Sequence, residues 1–369
     1  MKKKALFIIN SIGNGGAERV CVNMAEELVK QDFEVDFIIL KSINEEKSKY
    51  ELVDGINVYS LECKRNNRLM KIIELLFKTF RINKIIKNRE KNGNYSLITS
   101  HLPMANILTG LSNVRNRSLY VFHTKIKTYD KINHKIFVII FNLFFYKKKI
   151  VCVSDGVRKE GINEYKMNPK YLKTIYNPID LELIETKSKE KLDDKYLKKK
   201  YILQVGRFNE AKRQDRALEV FYKGKFYEKY NLIFCGVGEL ENNVKKRVKD
   251  LKLENKVIFV GWQNNVYKWI KNADLLLCTS DYEAFPMNLI EALACNTKIV
   301  ASNCKFGPNE IMIGEYKEFL VEPSNIDEYI KKINESENKY PTIKNDILKE
   351  CEVRKIIKKY LEFYKEKKI

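Results

Sequence analysis

Short apolar runs bounded by turn residues alternate with longer amphipathic stretches along almost the whole chain, and this alternation restricts the fold more than any other feature. Repeated strand–helix–strand units need crossover connections, so they imply parallel sheets covered by helices. In the first half, strands are expected near residues 4–10, 34–40, 56–61, 95–100, 118–123 and 149–153, with helices between them. A second series begins with Y-I-L-Q-V-G at Tyr201. It continues with N-L-I-F-C-G from Asn231, K-V-I-F-V-G from Lys256, D-L-L-L-C-T-S from Asp274 and K-I-V-A-S from Lys298. Between the series, Lys187–Lys200 is charged and almost without apolar periodicity, hence expected as a solvated connection. The expectation is an α/β protein of two facing, Rossmann-like, doubly wound domains. In such sheets ligands bind beyond the carboxyl ends of the strands, which places the chemistry in a cleft between the domains.

Charge narrows the partners. Of 369 residues, 69 are Lys or Arg and 48 are Asp or Glu, a formal net charge of +21. Such a balance favours a polyanionic partner: a phosphate-bearing substrate, anionic lipid or nucleic acid. Hydrophobic residues make up 44%, with only 15 Gly and 7 Pro, which excludes a disordered or collagen-like chain. Eight cysteines (Cys21, Cys63, Cys152, Cys235, Cys278, Cys295, Cys304, Cys351) are scattered without C-x-x-C or metal-ligand spacing. A reduced, cytoplasmic protein without zinc or structural disulfides is therefore expected. Met1–Lys4 followed by A-L-F-I-I-N imitates a signal peptide, but the sequence turns polar and Gly-rich after about six apolar residues, so a first strand is the better reading. The longest apolar run, Ile136–Tyr146, falls well short of the roughly 20 residues a spanning helix needs.

Three segments carry chemistry. Gly13-Asn14-Gly15-Gly16 follows the first strand and opens a helix, where glycine lets backbone approach a ligand and helix-terminal amides face anions; the alternative is a tight strand-to-helix turn. Its spacing fails G-x-G-x-x-G, because the third glycine would fall at Glu18, which disfavours a dinucleotide site. In Gly206-Arg207-Phe208-Asn209-Glu210-Ala211-Lys212, two cations five residues apart leave a strand end and precede a helix at about Gln214; they either clamp a diphosphate or line a solvated loop. In Glu283-Ala284-Phe285-Pro286-Met287-Asn288-Leu289-Ile290-Glu291, Pro286 suits a first helical turn, so the amides of Phe285, Met287 and Asn288 face the strand end. Glu283 and Glu291 then either flank one ligand or face solvent; a carboxylate accepting two hydrogen bonds suits vicinal hydroxyls. His101 and His123 sit at ends of expected strands, where active-site residues collect, whereas His134 lies in a polar helical start; their spacing supports no metal site.

Taken in order, G-G-A-E-R-V, V-F-H-T, V-S-D-G-V-R, Y-N-P-I-D, V-G-R-F-N-E-A-K and E-A-F-P-M-N-L-I-E-A-L-A-C resemble the retaining glycosyltransferases of family 4, with the GT-B fold, from about Lys4 to Val321. The resemblance implies that Arg207 and Lys212 hold the diphosphate of a nucleotide sugar, and a uridine diphosphate sugar is expected. It also implies that Glu283 meets the transferred sugar, Glu291 the ribose, and His123 the sugar near its reacting carbon. Gly15 and Gly16 are expected near the donor phosphates or the acceptor, with His101 and Asn14 as candidate sugar or acceptor contacts. Catalysis is expected to need no metal and no cofactor beyond the donor, because cations, helix-terminal amides and a few polar sugar contacts suffice for the charge that builds on the departing diphosphate; the family likewise needs no D-x-D metal motif, and Asp193-Asp194 lies in the charged connection where no such role is expected. Residues 1–185 are expected to bind the acceptor and 186–348 the donor, with about 349–369 returning to the first domain. Ala284 and Asn296-Thr297-Lys298 depart from the family's usual Gly and Gly-Thr-Pro; Asn tolerates the left-handed backbone that turn requires.

The acceptor expected from the resemblance is a lipid-linked oligosaccharide, lipopolysaccharide or capsule glycan. From Lys64 to Lys91 ten basic residues stand against two acidic ones, with Leu69, Ile72, Ile73, Leu76, Phe77 and Phe80 at helical spacing. This basic helix either docks on an anionic membrane surface at the inner face of the cytoplasmic membrane or packs on the core with a solvated basic face. Two rivals remain, a GT-B sugar-nucleotide epimerase and a basic nucleic-acid-binding protein. No recognition fold or aromatic-interleaved basic motif supports the second.

Overall fold

The computed structural model describes residues 2–13, 15–41, 52–62, 68–124, 126, 134–197, 199–343 and 346–366, with backbone alone for 68–72. The chain forms two compact units, 1–178 joined by 351–369, and 179–350.

In the first unit the strands are β1 (Lys3–Ile9), β2 (Phe33–Ile39), β3 (Ile56–Ser60), β4 (Leu97–His101), β5 (Leu119–Phe122), β6 (Lys149–Cys152) and β7 (Leu172–Thr174), paired in the order β3-β2-β1-β4-β5-β6-β7. Every pairing is parallel, for example Phe7 opposite Phe37 and Thr99. The helices are α1 (Gly16–Lys30), α2 (Arg68–Arg89), α3 (Pro103–Leu111), α4 (His134–Phe144) and α5 (Asp155–Asn163). Ala5 to Ile9 of β1 are fully buried, as a central strand covered on both faces requires. Asp36 of β2 is buried too and is satisfied completely: Arg89 donates to both its oxygens at 2.8 and 3.0 Å, and Asn57 and Tyr95 add further bonds. That network fixes the carboxyl end of α2 against the sheet.

The second unit has α6 (Leu181–Ser188), α7 (Asp194–Leu197), β8 (Tyr201–Val205), α8 (Gln214–Lys223), β9 (Asn231–Cys235), α9 (Glu241–Asp250), β10 (Val257–Gly261), α10 (Tyr267–Lys271), β11 (Leu275–Cys278), α11 (Met287–Ala294), β12 (Ile299–Ser302), α12 (Pro308–Ile311), β13 (Leu320–Val321), α13 (Ile326–Lys339) and α14 (Asp346–Cys351), the last running into the first unit. Its parallel sheet has the order β10-β9-β8-β11-β12-β13. In both sheets the order reverses beside the first strand, between β1 and β4 and between β8 and β11. These are the switch points where such sheets hold ligands.

Two local expectations change. The Lys187–Lys200 stretch is not merely a solvated connection: Leu192 is buried and the Tyr196 ring packs edge-on against Trp269 at 4.8 Å, so its apolar minority anchors it to the second unit. Residue 185 falls inside α6, which packs on α10 and α11. Asn296 does adopt the left-handed conformation, with φ of 59°, ending α11 without glycine. A final helix, α15 (Val353–Lys365), lies against α1, where Arg354 meets the buried Glu27 at 3.1 Å and Lys149 donates to the carbonyls of Phe363 and Tyr364.

Candidate active site

The second unit builds its site at the β8–β11 switch point. The Gly206–Lys212 loop leaves β8 and the Thr279–Pro286 loop leaves β11, and a polar lattice ties them together. Gln204 donates to the Lys212 carbonyl at 3.0 Å and to Thr279 Oγ1 at 3.1 Å, while Thr279 donates to the Arg213 carbonyl at 2.8 Å. Asp281 accepts from Arg213 and Arg216 at 2.8 and 2.6 Å. These bonds leave Lys212 and Glu283 little freedom. Lys212 Nζ meets Glu283 Oε1 at 2.5 Å, and Ser280 donates to the same oxygen at 2.7 Å. Burial by itself would lower the Lys212 pKa, but the facing Glu283 carboxylate outweighs it and holds the ammonium above its ordinary range, so it stays charged through neutral pH.

Arg207 stands apart from this pair: its side chain is 71% exposed and bonds to Glu239 at 3.2 Å. Its backbone is held by two glycines at and beyond the end of β9. Gly236 and Gly238 pass so close to the Arg207 loop that an added Cβ would lie 2.1 Å from the Gly206 carbonyl oxygen or 2.3 Å from that of Phe208. The C-G-V-G sequence after β9 was the available signal: two glycines at a strand end mark a close backbone approach. Gly307, with φ of +73°, likewise fits under Ala284 and Pro286.

Pro286 caps α11, so Met287 and Asn288 form its first turn, after a buried Phe285. The Asn288 side chain donates to the Val205 carbonyl at 3.1 Å, fastening the helix start to the end of β8. Glu291 is buried one turn on, and its charge adds to burial in pushing the Cys235 and Cys295 thiols up to about 12. A cavity of about 440 Å³ lies beside these loops, lined by Asn209, Arg213, Asp215, Leu240 and Arg247 among others; Arg207, Lys212 and Glu283 are not in its wall.

In the first unit the β1–β4 switch point carries two histidines. His101 ends β4 fully buried, its ring stacked on Phe7 at 5.9 Å, and its Nδ1 is 2.8 Å from Nε2 of His123 after β5. Burial and the neighbouring ring hold His101 well below its usual range, and burial pushes His123 down to about 4. Both rings are therefore neutral at pH 7. His101 supports His123 from behind and is closed to any ligand that does not displace the pair. Gly15 and Gly16 open α1, but the Glu18 carboxylate folds back so closely that a Cβ on Gly15 would sit 2.0 Å from it. A phosphate there requires Glu18 to swing away. Asn14 and Cys63 lie outside the described residues, as do 64–67 of the basic segment. His134 opens α4 with its ring edge-on to Tyr165. The other seven cysteines are buried, and none forms a disulfide among the described residues.

Known proteins match this arrangement over nearly the full length. The profile of Glycosyltransferase Family 4 matches residues 14–183, and that of Glycosyl transferases group 1 matches residues 185–350. The chain belongs to glycosyltransferase family 4. Among its relatives, the N-acetylgalactosamine-N,N'-diacetylbacillosaminyl-diphospho-undecaprenol 4-alpha-N-acetylgalactosaminyltransferase of Campylobacter jejuni is 28% identical over 88% of this chain and 87% of that one. The UDP-Gal:alpha-D-GlcNAc-diphosphoundecaprenol alpha-1,3-galactosyltransferase of Escherichia coli is 25% identical over 85% and 83%. Anabaena HepE in complex with UDP-glucose superposes with a TM-score of 0.75 at 17% identity, covering 97% of this glycosyltransferase and 98% of that chain. The two sheets have the GT-B fold of these neighbours.

Proposed function

We propose that this glycosyltransferase moves a hexose or N-acetylhexosamine, with retention, from a uridine diphosphate sugar to a lipid-linked oligosaccharide, lipopolysaccharide or capsule acceptor. The observation that carries the reading is the Lys212–Glu283–Ser280 cluster, a charged pair set at the β8–β11 switch point. Lys212, with Arg207 turned from Glu239, meets the charge that builds on the departing diphosphate, and the first turn of α11 adds oriented amides. Glu283, held from two sides, accepts hydrogen bonds from hydroxyls of the transferred sugar, and Glu291 from those of the ribose. His123, neutral and braced by His101, supplies a hydrogen bond near the anomeric carbon.

In the step itself the bond between the anomeric carbon and the diphosphate oxygen breaks. The acceptor oxygen bonds to the same face of that carbon, and its proton passes to the leaving diphosphate. The cations carry the charge stabilisation, so neither a metal nor a further cofactor takes part. The names of the Campylobacter and Escherichia relatives support a polyprenyl-diphosphate-linked acceptor, and the HepE complex supports a uridine nucleotide. On this reading the enzyme works at the inner face of the cytoplasmic membrane, with the basic segment 64–91 toward anionic lipid.

The test is nucleotide release from a panel of nucleotide sugars, with chelator present, comparing wild type with Glu283→Ala and Lys212→Ala. Release from one donor that survives chelator and collapses in both variants is expected. Release that needs a divalent cation removes the metal-free assignment, and release unchanged in both variants removes the site.

A further inference from the structure

The first unit shows water an apolar surface that no expectation from the sequence assigned as a whole. Of sixteen large hydrophobic side chains exposed among the described residues, eleven lie on three helices or just beyond: Ile73, Leu76, Phe77 and Phe80 on α2, Met104 and Leu111 on α3, and Ile136, Ile139, Ile140, Leu143 and Tyr146 on and after α4. The helices are neighbours. Asn113, just after α3, donates its amide to Asn83 of α2 at 2.9 Å, and Gly110 of α3 packs so tightly on Phe144 of α4 that a Cβ would lie 2.1 Å from its ring.

Beyond its first turn the fourth helix is apolar on every side except at Asn142, whose amide donates to the carbonyls of Val138 and Tyr165. Phe137 and Phe141, with Phe145 just beyond it, stack inward at 5.0 and 4.6 Å, while Leu143 on the other face is 72% exposed. A helix hydrophobic all round belongs in a core or in lipid, and half of this one has no protein cover among the described residues. It is too short to span: no helix among the described residues is long and apolar enough to cross a membrane. Charge selects the occupant. Residues 68–149 hold seventeen Lys and Arg against three Asp and Glu, a net +14 of the chain's +21. A second copy would bring the same positive field against itself, whereas an anionic bilayer complements it and accepts the aliphatic side chains.

We infer that α4 is the element that enters the membrane, lying in the interface of an anionic bilayer with Ile136, Ile139, Ile140 and Leu143 immersed, while α2 and α3 widen the contact and the basic residues bind headgroups. This deepens the acceptor side of the proposed function and rests on it for the expectation that the bilayer met is the one carrying the acceptor.

The test is sedimentation of the full chain with vesicles of equal phosphatidylglycerol and phosphatidylcholine, against pure phosphatidylcholine, for wild type and I139D/L143D. Tyr222→Asp, at an exposed site in the second unit, serves as the control. Wild type is expected to sediment with anionic vesicles, weaken at about 0.5 M salt, and lose at least about tenfold in partitioning in I139D/L143D. The control stays at wild-type level, and nucleotide release without vesicles is the same in all three proteins. Wild type remaining in the supernatant, or I139D/L143D sedimenting like wild type, overturns the inference. So does a wild-type dimer that I139D/L143D converts to monomer, because the face then covers a second copy. Sedimentation as expected without nucleotide release from any donor leaves the docking face standing and removes the donor chemistry.

Discussion

The two units share one architecture and almost nothing of their charge. The first holds 39 Lys and Arg against 20 Asp and Glu, the second 30 against 28, so the strongly basic character of the chain belongs to one unit. Their switch points differ in the opposite sense. The nearly neutral unit concentrates ions there, with Lys212 against Glu283 and Arg213 and Arg216 against Asp281. The basic unit has two uncharged histidines at its own. Bulk charge and site charge are thus placed separately; on the proposed reading the first is a long-range field for meeting a surface, and the second a short-range, pre-ordered pair for one ligand group.

Breaking the site of the second unit should have the largest effect. Lys212→Ala leaves the Glu283 carboxylate buried beside Ser280 without its cation, and loss of one cation aimed at developing charge costs about 3–4 kcal/mol. Donor turnover, measured as nucleotide release, is expected to fall by about two to three orders of magnitude. Gly236→Ala comes next: its Cβ collides with the Gly206 carbonyl, so the Arg207 loop must move. Thermal unfolding should show a loss of about 2–3 kcal/mol, and the donor KM should rise while vesicle sedimentation stays unchanged.

In the first unit, His101→Asn should lower kcat by about tenfold through loss of His123 orientation, with little change in donor KM. An equal rise in KM would make His101 a ligand rather than a brace. The same pair sets a pH response. Their folded-state values lie below the ordinary 6.5, so as pH falls the unfolded chain takes up protons first. Stability of the first unit is full above about pH 6.5 and declines toward about 4, where His123 itself protonates; His101, held well below its usual range, prolongs the decline to lower pH. The His123 part of the decline should amount to about 3 kcal/mol, and the whole decline should be absent from a His101→Asn/His123→Asn variant in denaturant titrations at graded pH. Smallest of all, Arg354→Ala removes a mostly exposed partner of Glu27 and should cost at most about 1 kcal/mol, read as a small fall in melting temperature.

Much of this was legible in the sequence because strand cores are local. All eleven expected strands form, and only the shortest edges, Leu172–Thr174 and Leu320–Val321, went unread, since two or three residues carry no periodicity. The Arg207, Lys212 and Glu283 loops were legible from order and spacing. What joins them was not: Lys212 and Glu283 are 71 residues apart, and the His101–His123 contact spans 22. Glu18 folding over Gly15 is a rotamer choice that sequence does not reveal. In the Ile136–Tyr146 run only the length against a bilayer is legible, because which face of a mostly apolar helix stays uncovered depends on its neighbours.

The central claim is that Lys212 and its partners form a diphosphate site that works without metal. Calorimetric titration of uridine diphosphate into wild type and Lys212→Ala, both with chelator, tests it most directly. The account predicts saturable binding to wild type and a Kd weaker by about a hundredfold in the variant. Equal affinity in the two proteins, or binding to wild type only after a divalent cation is restored, would contradict it.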